Sequence, residues 1–456
     1  MKFSAYREAV RYLVDDLWHA AQAADRPREV LQRRVKALLE ELGNPQTAFP
    51  VVHVGGTTGK GSTAAMTAAV LEEAGLRVGL YVSPFLQTYV ERISVNGELI
   101  SPDQFASAVD EIKPSIRGLE RDSSGPGRPT ILEALFAMGM RHFEREAVDV
   151  AVVEVGLGGR TDCTNVFEPS AVSVITNVQL DHTRQLGTTP EAIAREKAAI
   201  IKAGTRALTG AAGGALGVIE ERCRQLGVEL WRAGKEVQHV DLGCEAEVKT
   251  PQTTLTVTPA MAGRHQHDNA ALAVAAADAF GLASGMTIGA TAMKAGIARA
   301  RQPGRLEIVQ RRPTVILDAA HNPAAADVLA TALKDSELKP AGRLVVLIGV
   351  LEDKDREGIL SRLAPLADEM VVTQPPLAER AGDAADVATI ARRHVRDGVR
   401  VELVEAPEAA LQRALEVASA EDTVCVTGSI YLIGLLRNQW FPEEQILTER
   451  RIRYAV

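Results

Sequence analysis

The stretch His53-Val54-Gly55-Gly56-Thr57-Thr58-Gly59-Lys60-Gly61-Ser62-Thr63 constrains this chain more than any other. The apolar run Phe49-Pro50-Val51-Val52 leads into it and an Ala-rich run, Ala64 to Leu71, follows, so the pattern is strand, glycine-rich loop, helix. Such a loop cradles phosphate: glycines let backbone N–H groups turn inward, and the helix N-terminus adds partial positive charge. Lys60 is placed to reach the β- and γ-phosphates, and a neighbouring hydroxyl to reach Mg²⁺. The competing reading is an ordinary strand-to-helix turn, against which Gly, Lys and Ser with matching flanks count heavily. The spacing is unusual. Three residues separate Gly55 from Gly59, and Gly61 separates Lys60 from Ser62, giving G-T-x-G-K-x-[ST] instead of G-x-x-x-x-G-K-[ST].

A chain of 456 residues with 46% hydrophobic content has room for two or three globular domains. A net charge of −8 argues against a nucleic-acid partner, so positive charge for anionic substrates must be concentrated locally. The cysteines Cys163, Cys223, Cys244 and Cys425 are scattered without a C-x-x-C pair, which fits a reducing compartment. Residues Met1 to Leu17 mix bases with acids and lack an apolar signal core, and no run approaches a membrane span. The expectation is a soluble, cytoplasmic monomer that acts on small molecules, with no membrane or nucleic-acid partner.

Residues 1–45 read as helices, from apolar residues at helical spacing (Tyr6, Val10, Leu13, Val14, Leu17; Val30, Val35, Leu38, Leu39, Leu42). After the phosphate loop, Val78–Val82 reads as a strand ending at Ser83-Pro84, and Ile93–Ile100 as a hairpin turning at Asn96-Gly97. Asp122 to Pro129 is a loop, and Thr130 opens a helix to about Phe143. Val148–Val155 and Ala171–Asn177 are buried-strand patterns that run into Gly156–Arg160 and Gln179–Thr183. Helices are predicted over Pro190–Lys202 and Ala262–Phe280, with β-structure over residues 236–260. A boundary falls at Arg301–Arg305, after which strands at Thr314–Asp318, Arg343–Val350, Glu369–Thr373 and Thr423–Thr427 alternate with helices. The fold class is therefore α/β: a P-loop ATPase-like domain with a mainly parallel sheet (1–300), a linker (301–305) and a smaller Rossmann-like domain (306–456).

Glu154 ends an otherwise apolar strand, and Ser62, Glu154 and His182 each lie at or just past a predicted strand end. In a parallel sheet those ends are neighbours, and Ser and Glu oxygens suit Mg²⁺. A solvated strand end explains Glu154 about as well, and His182 alone is less informative still. Lys197 reads by default as a solvated helix lysine. Asp318 and His321 sit in Asp318-Ala319-Ala320-His321-Asn322-Pro323 at a strand's carboxyl edge, where a capping Asp with an incidental His is an equal reading. Arg305, in the inter-domain linker, is placed to contact a nucleotide.

Together these segments resemble the Mur-ligase superfamily, and within it the folylpolyglutamate synthase/dihydrofolate synthase family. The resemblance rests on His53–Thr63, Ser83-Pro84 with Glu91-Arg92-Ile93, Asn96-Gly97, Glu154–Thr164, Ile175-Thr176-Asn177, Leu180-Asp181-His182-Thr183, Glu196-Lys197-Ala198, His265–Ala271, Pro303-Gly304-Arg305, Leu317–Pro323, Asp353-Lys354-Asp355 and Gly428–Leu432, in order along nearly the whole chain. It implies an ATP-dependent ligase that activates a carboxylate as an acyl phosphate and joins it to L-glutamate. The acceptor would be dihydropteroate or a reduced folyl-(poly)glutamate. By the same resemblance Gly59, Lys60, Gly61 and Ser62 bind the triphosphate, and Asn269, Arg305 and Asp318 complete the ATP site across the domain cleft. Two Mg²⁺ sites draw on Ser62, Ser83, Glu154, His182 and Lys197, the last as a carbamate; a monovalent cation such as K⁺ is a further candidate cofactor, for which the sequence itself carries no signal. Lys60, Glu154, His182 and Lys197 would be the catalytic set, Thr130, Thr161, Asp162 and Cys163 the pterin site, and Arg92, His321 and Ser429 the glutamate contacts.

Departures from the family pattern include Thr58 for Asn in the phosphate loop, Thr161 for Leu, Cys163 for Ala, Ala199 and Ala319 for Gly, and Leu132 for Phe. The swaps at Thr161, Leu132 and Cys163 bear on acceptor preference. The alternatives are a peptidoglycan-precursor ligase of the same superfamily and a P-loop switch or motor. The folate branch is favoured by the G-K-G-S loop and Ser83-Pro84, and the motor is disfavoured by Asp318, His321 and Ser429 in a second domain.

Overall fold

The computed structural model describes residues 3–18, 29–334, 338, 341–377, 380 and 382–455. Two compact units emerge from the packing: residues Met1–Phe85, Tyr89–Ala260 and His267–Arg301 form one, and Leu86–Thr88, Met261–Gln266 and Gln302–Val456 the other. Two short segments upstream of residue 301 therefore cluster with the second unit, a departure from a single boundary in the linker that no local composition announces.

In the first unit eight strands, β1 (Val51–Gly55), β2 (Val78–Tyr81), β3 (Ile93–Val95), β4 (Glu98–Leu99), β5 (Val150–Glu154), β6 (Val172–Ile175), β7 (Arg206–Thr209) and β8 (Leu230–Arg232), make one sheet in the order β4-β3-β2-β5-β1-β6-β7-β8. From β2 to β8 the pairing is parallel, and β3 and β4 add an antiparallel edge. The near-continuous apolar composition of β1 and β5 follows from this: every residue of both is buried, as a strand covered on both faces requires. Asn96 and Gly97, both at positive φ, close the β3–β4 hairpin as the Asn-Gly signal predicts.

The helix Lys60–Glu73 leaves β1 through Gly59, and from Gly61 to Leu71 every residue is buried. A helix so enclosed needs small side chains. Against it lies the helix Ala290–Arg299, where a Cβ on Gly296 would come within 2.4 Å of the Val70 backbone. Residues 236–260 form an antiparallel sheet of β9 (Gln238–Asp241), β10 (Ala246–Lys249) and β11 (Thr254–Val257).

Several boundaries differ from the sequence reading. The helix predicted over Pro190–Lys202 ends at Ala198, and the one predicted over Ala262–Phe280 runs His265–Ser284. The amino-terminal helices are Ser4–Arg11, a π-helical run Tyr12–Trp18, and Glu29–Glu41. The part of the helical reading that covers residues 19–28 lies outside the described residues. No helix among the described residues is long and apolar enough to cross a membrane.

The second unit is a six-stranded sheet of β12 (Glu307–Arg311), β13 (Thr314–Leu317), β14 (Leu344–Ile348), β15 (Glu369–Val372), β16 (Arg400–Leu403) and β17 (Thr423–Thr427), in the order β12-β13-β17-β14-β15-β16. All pairs are parallel except β12 with β13. Hydrophobic clusters line both faces. The sequence reading missed β12 and β16, in which charged residues, Glu307 and Arg311 in the one and Arg400 and Glu402 in the other, interrupt any apolar run.

A buried charge pair ties this unit together. Arg437 is fully buried, and its guanidinium donates to both carboxylate oxygens of Glu307, the shortest contact being 2.7 Å. It also donates to Gln87 Oε1 and lies 4.4 Å from the centroid of the Phe441 ring. Gln87 in turn donates to the Phe441 carbonyl at 2.8 Å, which fastens Leu86–Thr88 to this unit. Removing one member leaves the other charge buried without its partner. Glu307→Ala should therefore destabilise the protein by about 3–5 kcal/mol in chemical denaturation, and the double replacement Glu307→Leu/Arg437→Met by much less.

Candidate active site

Parallel register sets out the first unit's site. Val54 pairs with Glu154 on one side of β1, and Gly55 with Ile175 on the other. The carboxyl ends of β5, β1 and β6 therefore emerge side by side, with the phosphate loop flanked by Glu154 at the end of β5 and by the loop after β6 that carries Asn177. In an open α/β sheet this edge is where ligands bind.

The loop is fastened from the β6 side. Thr58 N donates to Asn177 Oδ1 at 3.0 Å, and Asn177 Nδ2 returns a bond to Thr58 Oγ1 at 2.8 Å. Thr57 N donates to the Asn177 carbonyl, and Thr176 Oγ1 to the Thr58 carbonyl at 2.6 Å. This gives Thr58 a role that the sequence left open: its hydroxyl closes a reciprocal pair with the neighbouring strand's loop. The sequence assigns neither Asn177 nor Thr176 a role, although Ile175-Thr176-Asn177 is one of the segments that carry the family resemblance.

Two glycines of the loop are dictated by contact. A Cβ on Gly56, at φ +140°, would stand 1.9 Å from Thr176 Oγ1, and one on Gly59, at φ +78°, would stand 2.3 Å from Asn269 Oδ1. Asn269 accepts from Thr63 Oγ1 at 3.4 Å, beside the loop in the first unit. The expectation that it reaches the nucleotide from across a domain cleft is thereby corrected: the helix His265–Ser284 returns it to the loop's own unit.

Lys197 overturns its default reading as a solvated helix lysine. It is only 4% exposed, and its Nζ donates to the Gly56 carbonyl at 2.6 Å. Burial, and then the charge of Lys60, hold its ammonium down to about 7. Its helix is seated by Gly159, whose Cβ would come within 2.6 Å of the Glu196 carbonyl, and by Arg160 N donating to that carbonyl at 2.8 Å. Lys60 Nζ bonds the Thr57 carbonyl at 3.2 Å, so both cations attend one loop.

Ser83 N donates to Glu154 Oε2 at 3.0 Å, which brings the ends of β2 and β5 together. Arg92 is buried beside them; its NH1 donates to Ser83 Oγ at 3.3 Å and to the Tyr81 hydroxyl at 3.4 Å, and its Nε has no hydrogen-bond partner. His182 sits at φ +48°, at the start of the turn Thr183–Leu186, with its N–H on Asp181. Among the described residues no group of three or more His, Cys, Asp and Glu is gathered as a metal site. The donors expected for Mg²⁺ are mostly of other types, namely serine hydroxyls and a modified lysine.

Thr130 caps the helix Ile131–Arg145 in a reciprocal box with Glu133, which also accepts from Arg34 at 3.0 Å in the interior. Thr161 and Asp162 are buried and Cys163 is half-buried, its Sγ 3.8 Å from the Leu132 carbonyl. Burial first, and then the nearby Asp162 and Glu133, push its thiol well above the ordinary range, which disfavours the reactive thiolate.

In the second unit Asp318 accepts from Leu306 N and Ala320 N, each at 2.9 Å. Burial raises its carboxyl, and Arg305 acts in the opposite direction. His321 Nδ1 donates to the Ala319 carbonyl at 2.8 Å. Ser429 is 1% exposed with a hydroxyl that makes no hydrogen bond, at the head of the helix Ile430–Arg437. The expected glutamate contacts are thus divided: Arg92 belongs to the first unit beside Ser83, and His321 and Ser429 to the second.

Residues 54–277 match the Mur ligase middle domain and residues 304–430 the Mur ligase glutamate ligase domain. The Mycobacterium tuberculosis dihydrofolate synthase/folylpolyglutamate synthase is 35% identical over 96% of this chain and 94% of its own length. The Haloferax volcanii probable bifunctional folylpolyglutamate synthase/dihydropteroate synthase is 35% identical over 95% of this chain, and the chain spans 50% of that relative. The solved structure of M. tuberculosis folylpolyglutamate synthase complexed with ADP superposes with a TM-score of 0.86 at 33% identity, covering 96% of this chain and 98% of that one. Escherichia coli FolC in complex with DHPP and ADP gives 0.80 at 30% identity, covering 95% and 97%.

The buried lysine makes a stability prediction. In the unfolded chain Lys197 titrates near 10.5 and in the folded protein near 7, so between those values the unfolded state binds more protons and native stability rises with pH. In nucleotide-free, CO₂-free buffer, Lys197→Met should be the more heat-stable protein near neutrality, and the gap in Tm should close as pH climbs through that window.

Proposed function

The chain belongs to the folylpolyglutamate synthase/dihydrofolate synthase family of Mur ligases and is an ATP-dependent ligase acting on folates; from that premise we propose that it joins L-glutamate to dihydropteroate, to the γ-carboxylate of reduced folyl-(poly)glutamates, or to both. The acceptor carboxylate attacks the γ-phosphate and becomes an acyl phosphate, the glutamate amine attacks that carbonyl, and ADP and phosphate leave. The full-length match to folate ligases does not favour the peptidoglycan-precursor alternative.

The observation that carries this reading is the grouping at one sheet edge of the phosphate loop, the Ser83–Glu154 contact and the buried Lys197. Amide formation between two ions in water is uphill, so the protein's task is to position the reactants and compensate charge. Gly59, Lys60, Gly61 and Ser62 are assigned to the triphosphate, with Asn269, Arg305 and Asp318 completing ATP recognition. Thr130, Thr161, Asp162 and Cys163 are assigned to the pterin, and Arg92, His321 and Ser429 to the incoming glutamate. For Ser429 the support is a buried hydroxyl with an unmade hydrogen bond at a helix start, suited to a carboxylate.

Mg²⁺ fits the donors at this edge. Ser62, Ser83 and Glu154 offer hard oxygens, and Glu154 and His182 with a carbamylated Lys197 would hold a second ion. When bound, Mg²⁺ would neutralise charge on the transferring phosphoryl group. What supports the carbamate is Lys197's own environment. A neutral amine is the form that adds to CO₂, with loss of one proton, and burial together with Lys60 favours that form near neutral pH. The carbamate nitrogen keeps one N–H for the Gly56 carbonyl.

Purified protein incubated with ATP, Mg²⁺ and labelled L-glutamate should yield a labelled pterin product with dihydropteroate, tetrahydrofolate or both. Absence of product with either acceptor would remove the folate assignment. Lys197→Ala should abolish that product formation, and added bicarbonate should not restore it.

A further inference from the structure

His53 is the one polar residue inside β1, between Val52 and Val54, and it is 1% exposed. Its ring packs edge-on against Phe167, 5.3 Å between centroids, and its Nε2 lies 2.8 Å from Thr164 Oγ1. Thr164 Oγ1 also lies 2.6 Å from Asp162 Oδ1. A hydroxyl has a single proton, and an ionised carboxylate only accepts. The Thr164 hydroxyl must therefore donate to Asp162, which leaves His53 Nε2–H as the donor to Thr164. The chain runs one way: imidazole N–H to hydroxyl, hydroxyl to carboxylate.

The far end of that chain is an anchored carboxylate. Asp162 Oδ1 also accepts from Thr164 N at 2.9 Å, and Oδ2 from Leu157 N at 2.8 Å. The backbone donors fix where the carboxylate sits, and the hydroxyl, itself held by His53, fixes the remaining donor on Oδ1. Burial and the nearby Lys202 hold the imidazole down to about 3, so the ring stays neutral, with one N–H, throughout the working pH range.

We propose that His53 and Thr164 are positioning residues that orient the Asp162 carboxylate for the pterin of the acceptor, linking the nucleotide-binding strand β1 to acceptor recognition. The proposal rests on the assignment of Asp162 to the pterin site. It gives the histidine a task at the acceptor although it stands at the entrance to the phosphate loop. Its effect belongs to the acceptor and not to ATP, because the bonds lead away from the loop, through Thr164, to Asp162.

The test measures KM for dihydropteroate and for tetrahydrofolate, KM for ATP, kcat and Tm in Thr164→Val, Thr164→Ser, His53→Phe and Asp162→Ala. Val keeps the shape of Thr without the hydroxyl, Ser restores the hydroxyl, and Phe keeps the ring packing without the N–H. Loss of a hydrogen bond to a charged group should raise the acceptor KM roughly tenfold or more in Thr164→Val, with KM for ATP unchanged and Thr164→Ser close to the parent. His53→Phe should shift in the same direction by less. An acceptor KM in Thr164→Val equal to the parent's, or equal rises for acceptor and ATP that Thr164→Ser fails to reverse, would overturn the proposal. If Thr164→Val does not fold, Thr164→Ala against Thr164→Ser makes the same comparison. Asp162→Ala separates the two levels: an unchanged acceptor KM there means the pterin assignment has failed, whereas a raised one with Thr164→Val unaffected means only the positioning chain has failed.

Discussion

The parallel pairing of β1 with β5 on one side and β6 on the other is the constraint from which the site follows. Parallel strands share polarity, so their carboxyl ends come out on one edge, and the pairs Val54–Glu154 and Gly55–Ile175 decide which loops meet there. A slip of one residue would exchange the faces of a strand and carry Glu154 away from Ser83 N. The apolar composition of these strands makes the register costly to change. Each side chain is buried on one face or the other, and a slip would leave the packing of both faces unfilled.

Upon that edge the protein gathers two lysines around one loop. Lys60 and Lys197 both bond carbonyls of the same loop, and Lys197 is buried enough to lose much of its hold on a proton. A buried amine works against stability, and such groups persist where function requires them. The loop remains in place because Asn177 closes a reciprocal bond with Thr58 and because Gly56 and Gly59 leave no room for a side chain.

Much of this was legible along the chain. Gly59, Lys60 and Ser62 announce a phosphate loop through spacing alone, and Asn96-Gly97 announces its hairpin, because both signals are local. The buried parallel strands announce themselves by apolar runs. What was not legible has one cause: burial and partnership depend on residues distant in sequence. Lys197 looks like a solvated helix lysine until the Gly56 carbonyl arrives from 141 positions away. Asn269 meets Gly59 only because the helix His265–Ser284 brings it back to the loop. β12 escaped notice because its Glu307 is a core residue only through Arg437, 130 positions later.

By itself, then, the sequence determined the kinds of element, the phosphate loop and the membership of a ligase family, since periodicity, turn chemistry and ordered motifs are all properties of neighbouring residues. The tertiary structure alone decided which unit each segment joins, as with Leu86–Thr88, and which polar groups lose their water, as with Lys197, Ser429 and His53. The physical reason is that desolvation and hydrogen-bond direction are set by whatever surrounds a group in space. A threonine hydroxyl becomes a directed donor only when a carboxylate and an imidazole close on it from two sides.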